Sequence, residues 1–370
     1  PLRQSTLLRP KCASIAGFAR VLMLGVGVGV AQAEPLVVGY NRFHATQPSA
    51  LGGRLLYHEL GCANCHGGDT GLPSRRGPEL ATVTTRANAD WLQAFIADPT
   101  KLRAGTSMPH LFAGRDTTDV AAAVHYLGTL RPKAAARPKI IRHINAALGK
   151  ELFHTKGCVA CHAPKDDYQP PEGRPAPAET TYGAVAFPQL AGKYDLGSLA
   201  EFVRDPLKTR PDGRMPRIEM EEQDALDIAS YLLGIGGSDG EEAPRLKPFV
   251  VERGPAERGR GVVAELRCAA CHDLPAAVAV QAIPLRQTIG GCLAVDPAAG
   301  VPRYDLGAGQ RRALQAYLAD RDRPLSAAQR AKLTLEALNC AACHERDGQG
   351  GPDAAHKAYF LGDHNLGDTG

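Results

Sequence analysis

The sequence predicts a mainly α protein assembled from tandem small helical domains. Three observations predict it. One motif, Cys-x-x-Cys-His, occurs four times in 370 residues, at 62–66, 158–162, 268–272 and 340–344. A longer segment repeats: WLQAFIADPTKLRAGTSMP at 91–109 aligns with SLAEFVRDPLKTRPDGRMP at 198–216, a constant offset of 107. Apolar residues at helical spacing then close the units, as in DVAAAVHYLGTL (119–130), EEQDALDIASYLLG (221–234) and GAGQRRALQAYLAD (307–320).

The motif decides the chemistry. A redox dithiol makes no use of a histidine after the second cysteine, and zinc needs a second close ligand pair, whereas the nearest pairs here are about seventy residues apart. Covalent haem uses all three residues. Thiols at i and i+3 share one face of a helical turn and form thioethers to the two vinyl groups, and the next residue offers its imidazole to the iron. Four haem c groups are therefore expected, on Cys62 and Cys65, Cys158 and Cys161, Cys268 and Cys271, and Cys340 and Cys343. Their proximal iron ligands are His66, His162, His272 and His344.

In chain order, residues 1–33 predict a cleaved signal peptide. Arg3, Arg9, Lys11 and Arg20 precede the apolar run VLMLGVGVGV (21–30), and Ala31-Gln32-Ala33 provides the cleavage site before Glu34. Ten apolar residues are too few to span a bilayer, so no transmembrane anchor is expected after cleavage, and Cys12 leaves with the signal. The expected location is periplasmic or otherwise exported. The signal holds four of the 43 Lys and Arg and none of the 39 acids, which leaves 39 of each. Nothing in that balance argues for nucleic acid.

The first unit is expected over 48–132 and the second over 145–236. Each begins with a helix carrying Gly-x-x-x-aromatic, Gly53 and Tyr57 or Gly149 and Phe153, with the aromatic five residues before the first cysteine. A middle helix stops at Asp98-Pro99 or Asp205-Pro206, because proline disfavours helix in the residue before it. A loop with Met108-Pro109 or Met215-Pro216 follows, then the closing helix. The second unit is longer by 11 residues, most simply in the Pro-rich run 163–187, which reads as a surface loop. Trp91 takes a core position on the middle helix.

Gly-x-x-x-aromatic, CxxCH, a later Met-Pro and a last helix ending near Tyr-Leu resemble the class I cytochrome c domain. The resemblance implies small helical domains, each wrapped around a haem c with histidine proximal and methionine sulfur distal. By position it pairs Met108 with His66 and Met215 with His162. Met220 competes for the second haem but lacks the Met-Pro context.

The third unit, 256–322, keeps Gly259 and Val263 before Cys268 and a closing helix, yet has neither Met nor His between His272 and Cys340. Cys292, in the loop before the last helix, is the expected sixth ligand there; the alternatives are an unligated iron, Lys332, Tyr304 or another domain's histidine. The fourth unit, 325–370, has 26 residues after His344 and no room for a closing helix, so the chain is expected to continue, the alternative being a partner that completes the pocket. Its segment NCAACHERDGQGG (339–351) resembles the attachment region of large multidomain bacterial cytochromes.

Two functions follow. A haem with both axial positions filled has no open site for substrate, which favours electron transfer with redox partner proteins. A peroxidase or small-molecule reductase would instead use an open haem in the third or fourth unit.

Overall fold

The computed structural model describes residues 34–130, 144–165, 168, 185–187, 190–235, 245–275, 281–285, 290–298, 300–346, 351–352, 359 and 348–350 within the last long stretch, excluding 347. The signal segment, Cys12, His143, His356, His364 and most of the Pro-rich run lie outside the described residues. The described residues all belong to one body, and nearly all regular structure in it is helical, as expected.

The chain opens with α1 (Val38–Phe43) and α2 (Ala50–Glu59). Ser49 caps α2 by accepting from the Gly52 N–H. The first motif is itself a helical turn, α3 (Cys62–His66), followed by α4 (Val83–Arg86) and α5 (Ala89–Ala97). Asp98 ends α5 and its carboxylate caps the next turn, α6 (Pro99–Leu102), so Asp-Pro both stops one helix and starts another. The first closing helix is α7 (Thr117–Thr129).

The second unit repeats the order. It runs through α8 (Ala146–Thr155), a 3₁₀ turn at Cys158–Ala160, α9 (Leu190–Lys193), α10 (Leu196–Arg204), α11 (Pro206–Thr209) and α12 (Glu222–Leu233). Asp205-Pro206 plays the part of Asp98-Pro99. Then come α13 (Arg253–Glu265), α14 (Cys268–Cys271), a 3₁₀ turn at Gly291–Leu293, α15 (Ala308–Ala319) and α16 (Ala327–Ala337). A 3₁₀ turn at Cys340–Ala342 and a two-residue hairpin, β1 (Glu345–Arg346) antiparallel to β2 (Gln349–Gly350), follow.

The pairing of first and last helices departs from the sequence expectation. Only the second unit closes on itself: α8 crosses α12, and Gly149 lies where any Cβ would collide with the Asp227 carbonyl. The first and third units trade closing helices. In one bundle α2 packs on α15, with Gly53 against the Ala313 carbonyl; in the other α13 packs on α7, with Gly259 against the Ala122 carbonyl. Tyr57 accordingly meets Tyr317 at 5.2 Å between ring centroids. Ranges 48–132 and 256–322 are thus contiguous in sequence but not self-contained in space. The physical reason is that α7 and α15 present equivalent apolar faces, so local pattern does not discriminate between them.

Three cores follow from this arrangement. One joins Leu55, Leu56, Tyr57 and Leu60 to Leu306, Ala313, Leu314 and Tyr317; another joins Trp91, Leu92, Val120, Val124 and Leu127 to Val262 and Val263; the third lies within the second unit around Phe153, Leu196 and Ile228. The fourth unit is covered partly from the start of the described chain. Helix α1 packs on α16, His44 Nε2 bonds the buried Glu336 carboxylate at 2.9 Å, and Arg42 donates to the carbonyls of Ala341 and Gly351.

Candidate haem attachment sites

Each motif enters its turn through a left-handed residue: Gly61, Gly157, Arg267 and Asn339, with φ of 73°, 85°, 55° and 56°. That backbone reversal lets the helix ending just before each motif turn back into the CxxCH turn. Two of the four residues are not glycine, so the strain of a side chain in this region is accepted at the third and fourth motifs.

Within each turn the two cysteines are three residues apart, and the histidine N–H donates to the first cysteine's carbonyl at 3.0 Å in the second motif and 2.9 Å in the third and fourth. The imidazoles are oriented from outside the motif. His66 Nδ1 donates to the Ile283 carbonyl at 3.0 Å, His162 Nδ1 to Val185 at 2.9 Å, and His272 Nδ1 to Pro78 at 2.8 Å. Donation from Nδ1 leaves Nε2 with its lone pair, which is the tautomer that can ligate iron. Burial lowers the proton affinity of His162 and His272, keeping both neutral.

These carbonyls were not anticipated from the sequence. A signal was available, since each lies at or near a proline followed by leucine: Pro78-Glu79-Leu80, Pro188-Gln189-Leu190 and Pro284-Leu285. The same loops also grip the second cysteine of each motif. Gly77 N–H donates to the Cys271 carbonyl at 2.6 Å, Ile283 N–H to Cys65 at 2.7 Å, and Val185 N–H to Cys161 at 2.8 Å.

The motifs stand in pairs. The α3 turn packs on α14, so that the Cys271 thiol lies by Cys65 and holds it down at about 7 while its own is raised. Asn64 Nδ2 also approaches Cys271 Sγ at 3.7 Å. In the second pair Cys343 acts electrostatically on Cys161, and Asn339 Nδ2 reaches Cys161 Sγ at 3.5 Å. Burial pushes the Cys62 thiol up to about 12 and those of Cys158 and Cys268 to about 11. Among the described residues no cluster of three His, Cys, Asp or Glu side chains could hold a bare metal ion.

The surroundings fit a macrocycle bearing carboxylates. Arg103 and Arg210, partners in the sequence repeat, lie near Lys193; burial and then Arg210 hold Arg103 at about 10, and burial with both arginines drives Lys193 well below its usual range. Lys193 stands 4.5 Å over the Trp91 ring. Trp91 Nε1 and Arg210 Nε are buried without a hydrogen-bond partner, two donors suited to a propionate. A cavity of about 530 Å³ beside His66 is lined by Arg54, Tyr57, Leu285, Tyr317 and Leu325 among others.

Of the expected distal residues, Met108 and Met215 lie half-buried in loops before closing helices, and Met220 packs partly buried on the second core. Cys292 is an electrostatic neighbour of Cys62 and Cys65, in the first motif, although the sequence assigned it to the third. Tyr304 likewise belongs to the first motif, donating to the Leu60 carbonyl at 3.1 Å. Lys332 is exposed beside Glu336. Trp91 is buried, as expected of a core residue, and stacks on Phe95.

The helical order, the CxxCH turns and the oriented imidazoles are those of one family, and the family model for Cytochrome c matches residues 50–131 and 146–236. These two segments belong to the cytochrome c family. The chain is thus a multidomain protein with cytochrome c domains, which bind haem c covalently and transfer electrons through its iron. No curated protein and no solved structure matches the chain. Among the described residues no helix is long and apolar enough to cross a membrane.

Proposed function

We propose that the protein is an exported multihaem cytochrome that carries electrons through four haem c groups to and from redox partner proteins. The observation that carries this reading is the pairing of motifs, with α3 packed on α14, Asn64 of the first motif against Cys271 of the third, and Asn339 at the entry to the fourth against Cys161 of the second. Macrocycles joined to adjoining sulfurs would stand close enough to exchange electrons within each pair. Haem iron supplies the one-electron chemistry, and axial ligation with burial sets its potential.

The chain's own residues hold and tune that group. The eight motif cysteines would anchor it, and His66, His162, His272 and His344 would offer Nε2. The backbone carbonyls of Ile283, Val185 and Pro78 fix three of these imidazoles and strengthen them as ligands. Met215 is the distal ligand proposed for the His162 haem, and a methionine there favours a relatively high potential. Arg103, Lys193 and Arg210 would compensate propionate charge, and Trp91 would donate to it.

A pyridine haemochrome assay combined with the intact mass of the exported protein tests this reading. Four covalent haems and a chain beginning at Glu34 are expected. Noncovalent haem or none would overturn it, and rapid cyanide or peroxide binding at one centre would favour the enzyme reading.

A further inference from the structure

We infer that the first and third haem pockets are exchanged along the chain: Met108 serves the haem attached at Cys268 and Cys271, while the loop carrying Cys292 and Tyr304 forms the distal side of the haem attached at Cys62 and Cys65. This rests on the haem c reading above, but it reassigns which part of the sequence completes which pocket. Position in the sequence pairs Met108 with His66 and Cys292 with His272. The packing pairs them the other way.

Independent contacts on each side support the exchange. Around His272, the third motif lies against residues of the first unit. Its imidazole is held by the Pro78 carbonyl, the Cys271 carbonyl receives the Gly77 N–H, and Leu80 N–H donates to Asp273 at 3.2 Å. A Cβ on Gly77 would strike the His272 ring, so this loop lies directly on the imidazole. Cys268 and Leu274 pack against the core formed by Val83, Trp91, Leu92, Phe112 and α7. Met108 stands in the loop that connects α6 to α7 within this bundle, four residues before the buried Phe112.

Around His66 the donors are those of the third unit. Ile283 supplies both the carbonyl for the imidazole and the N–H for the Cys65 carbonyl. Cys62 shares its core with Leu285, Leu293, Tyr304 and α15. Cys292 adjoins Leu293, which packs on the core that holds Cys62, and the Tyr304 hydroxyl reaches the Leu60 carbonyl just before that motif. The two distal loops also run side by side, with His110 and Arg303 exchanging backbone hydrogen bonds at 2.9 and 3.2 Å. One body with interleaved halves results, instead of two separable beads.

The exchange has a consequence for the redox order. The methionine-ligated iron would be at the third motif, and the iron lacking methionine at the first. The test uses the exported full-length protein and the long-wavelength methionine-to-iron charge-transfer absorption, normalised to protein concentration, with the haem count measured separately. Wild type should show two equivalents, from Met108 and Met215. Cys268→Ala with Cys271→Ala should leave three haems and half the absorption, because Met108 loses its iron. Cys62→Ala with Cys65→Ala should leave three haems and the full absorption. The reverse pattern overturns the exchange, whereas absence of covalent haem in the wild type overturns the haem reading itself.

A second pair of variants keeps all eight cysteines and applies if either deletion fails to fold. Gly259→Leu forces α13 off α7, and Gly53→Leu forces α2 off α15. Halved absorption in Gly259→Leu with full absorption in Gly53→Leu supports the exchange, and the opposite result refutes it.

Discussion

At the scale of single residues, the left-handed position before each motif carries a cost that substitution can isolate. Gly157 has φ 85° and open space where a Cβ would project, so Gly157→Ala introduces backbone strain and no clash. The variant should lose about 1 kcal/mol, read as a lower denaturation midpoint with the haem count unchanged. The same scale explains what could be read in advance. Cys62, Cys65 and His66 announce their chemistry by spacing, because thioether formation and ligation depend on one helical turn. The Pro78, Val185 and Ile283 carbonyls do not, since a backbone acceptor has no residue type; only their neighbouring prolines leave a trace.

At the scale of elements, periodicity and stop signals predicted the helices well. Asp98-Pro99 and Asp205-Pro206 end helices where expected, and in both cases the aspartate also caps the turn that follows. The glycine on each leading helix marks a close crossing. At α8 and α12 the crossing lies within one unit, so Gly149→Leu should affect the second haem alone. Because a backbone carbonyl blocks the new side chain, the cost should reach about 3 kcal/mol, the upper end for overpacking. The expected spectrum loses the Met215 contribution and keeps that of Met108; loss of both would mean that the bundles are not independent at this level.

At the scale of the whole molecule, an ionic cluster joins the first and second units. Glu59, at the end of α2, is buried, forms an ion pair with Arg75 at 3.1 Å and accepts from Arg214 Nη2 at 2.5 Å. Arg214 immediately precedes Met215, so this contact ties the second distal loop to the first leading helix. Glu59→Gln leaves two guanidinium groups facing a neutral amide. The loss should be about 2 kcal/mol, less than for a fully buried pair because Arg75 and Arg214 keep some solvent contact. A lower melting temperature with four haems retained is the expected outcome, and an unchanged one would show that the cluster contributes no net stability.

The sequence by itself determined the chemistry of attachment, the helical composition and the order of elements, because each is written in local spacing: three residues between thiols, helical periods in the apolar runs, and proline at the helix stops. Tertiary structure alone decided which α7 or α15 face meets which glycine, which carbonyl orients which imidazole, and that α1 would pack on α16. Those choices are made between surfaces of nearly equal local pattern that lie far apart in the chain. Their outcome depends on the summed fit of whole helices and connections, and no short stretch of residues records that sum.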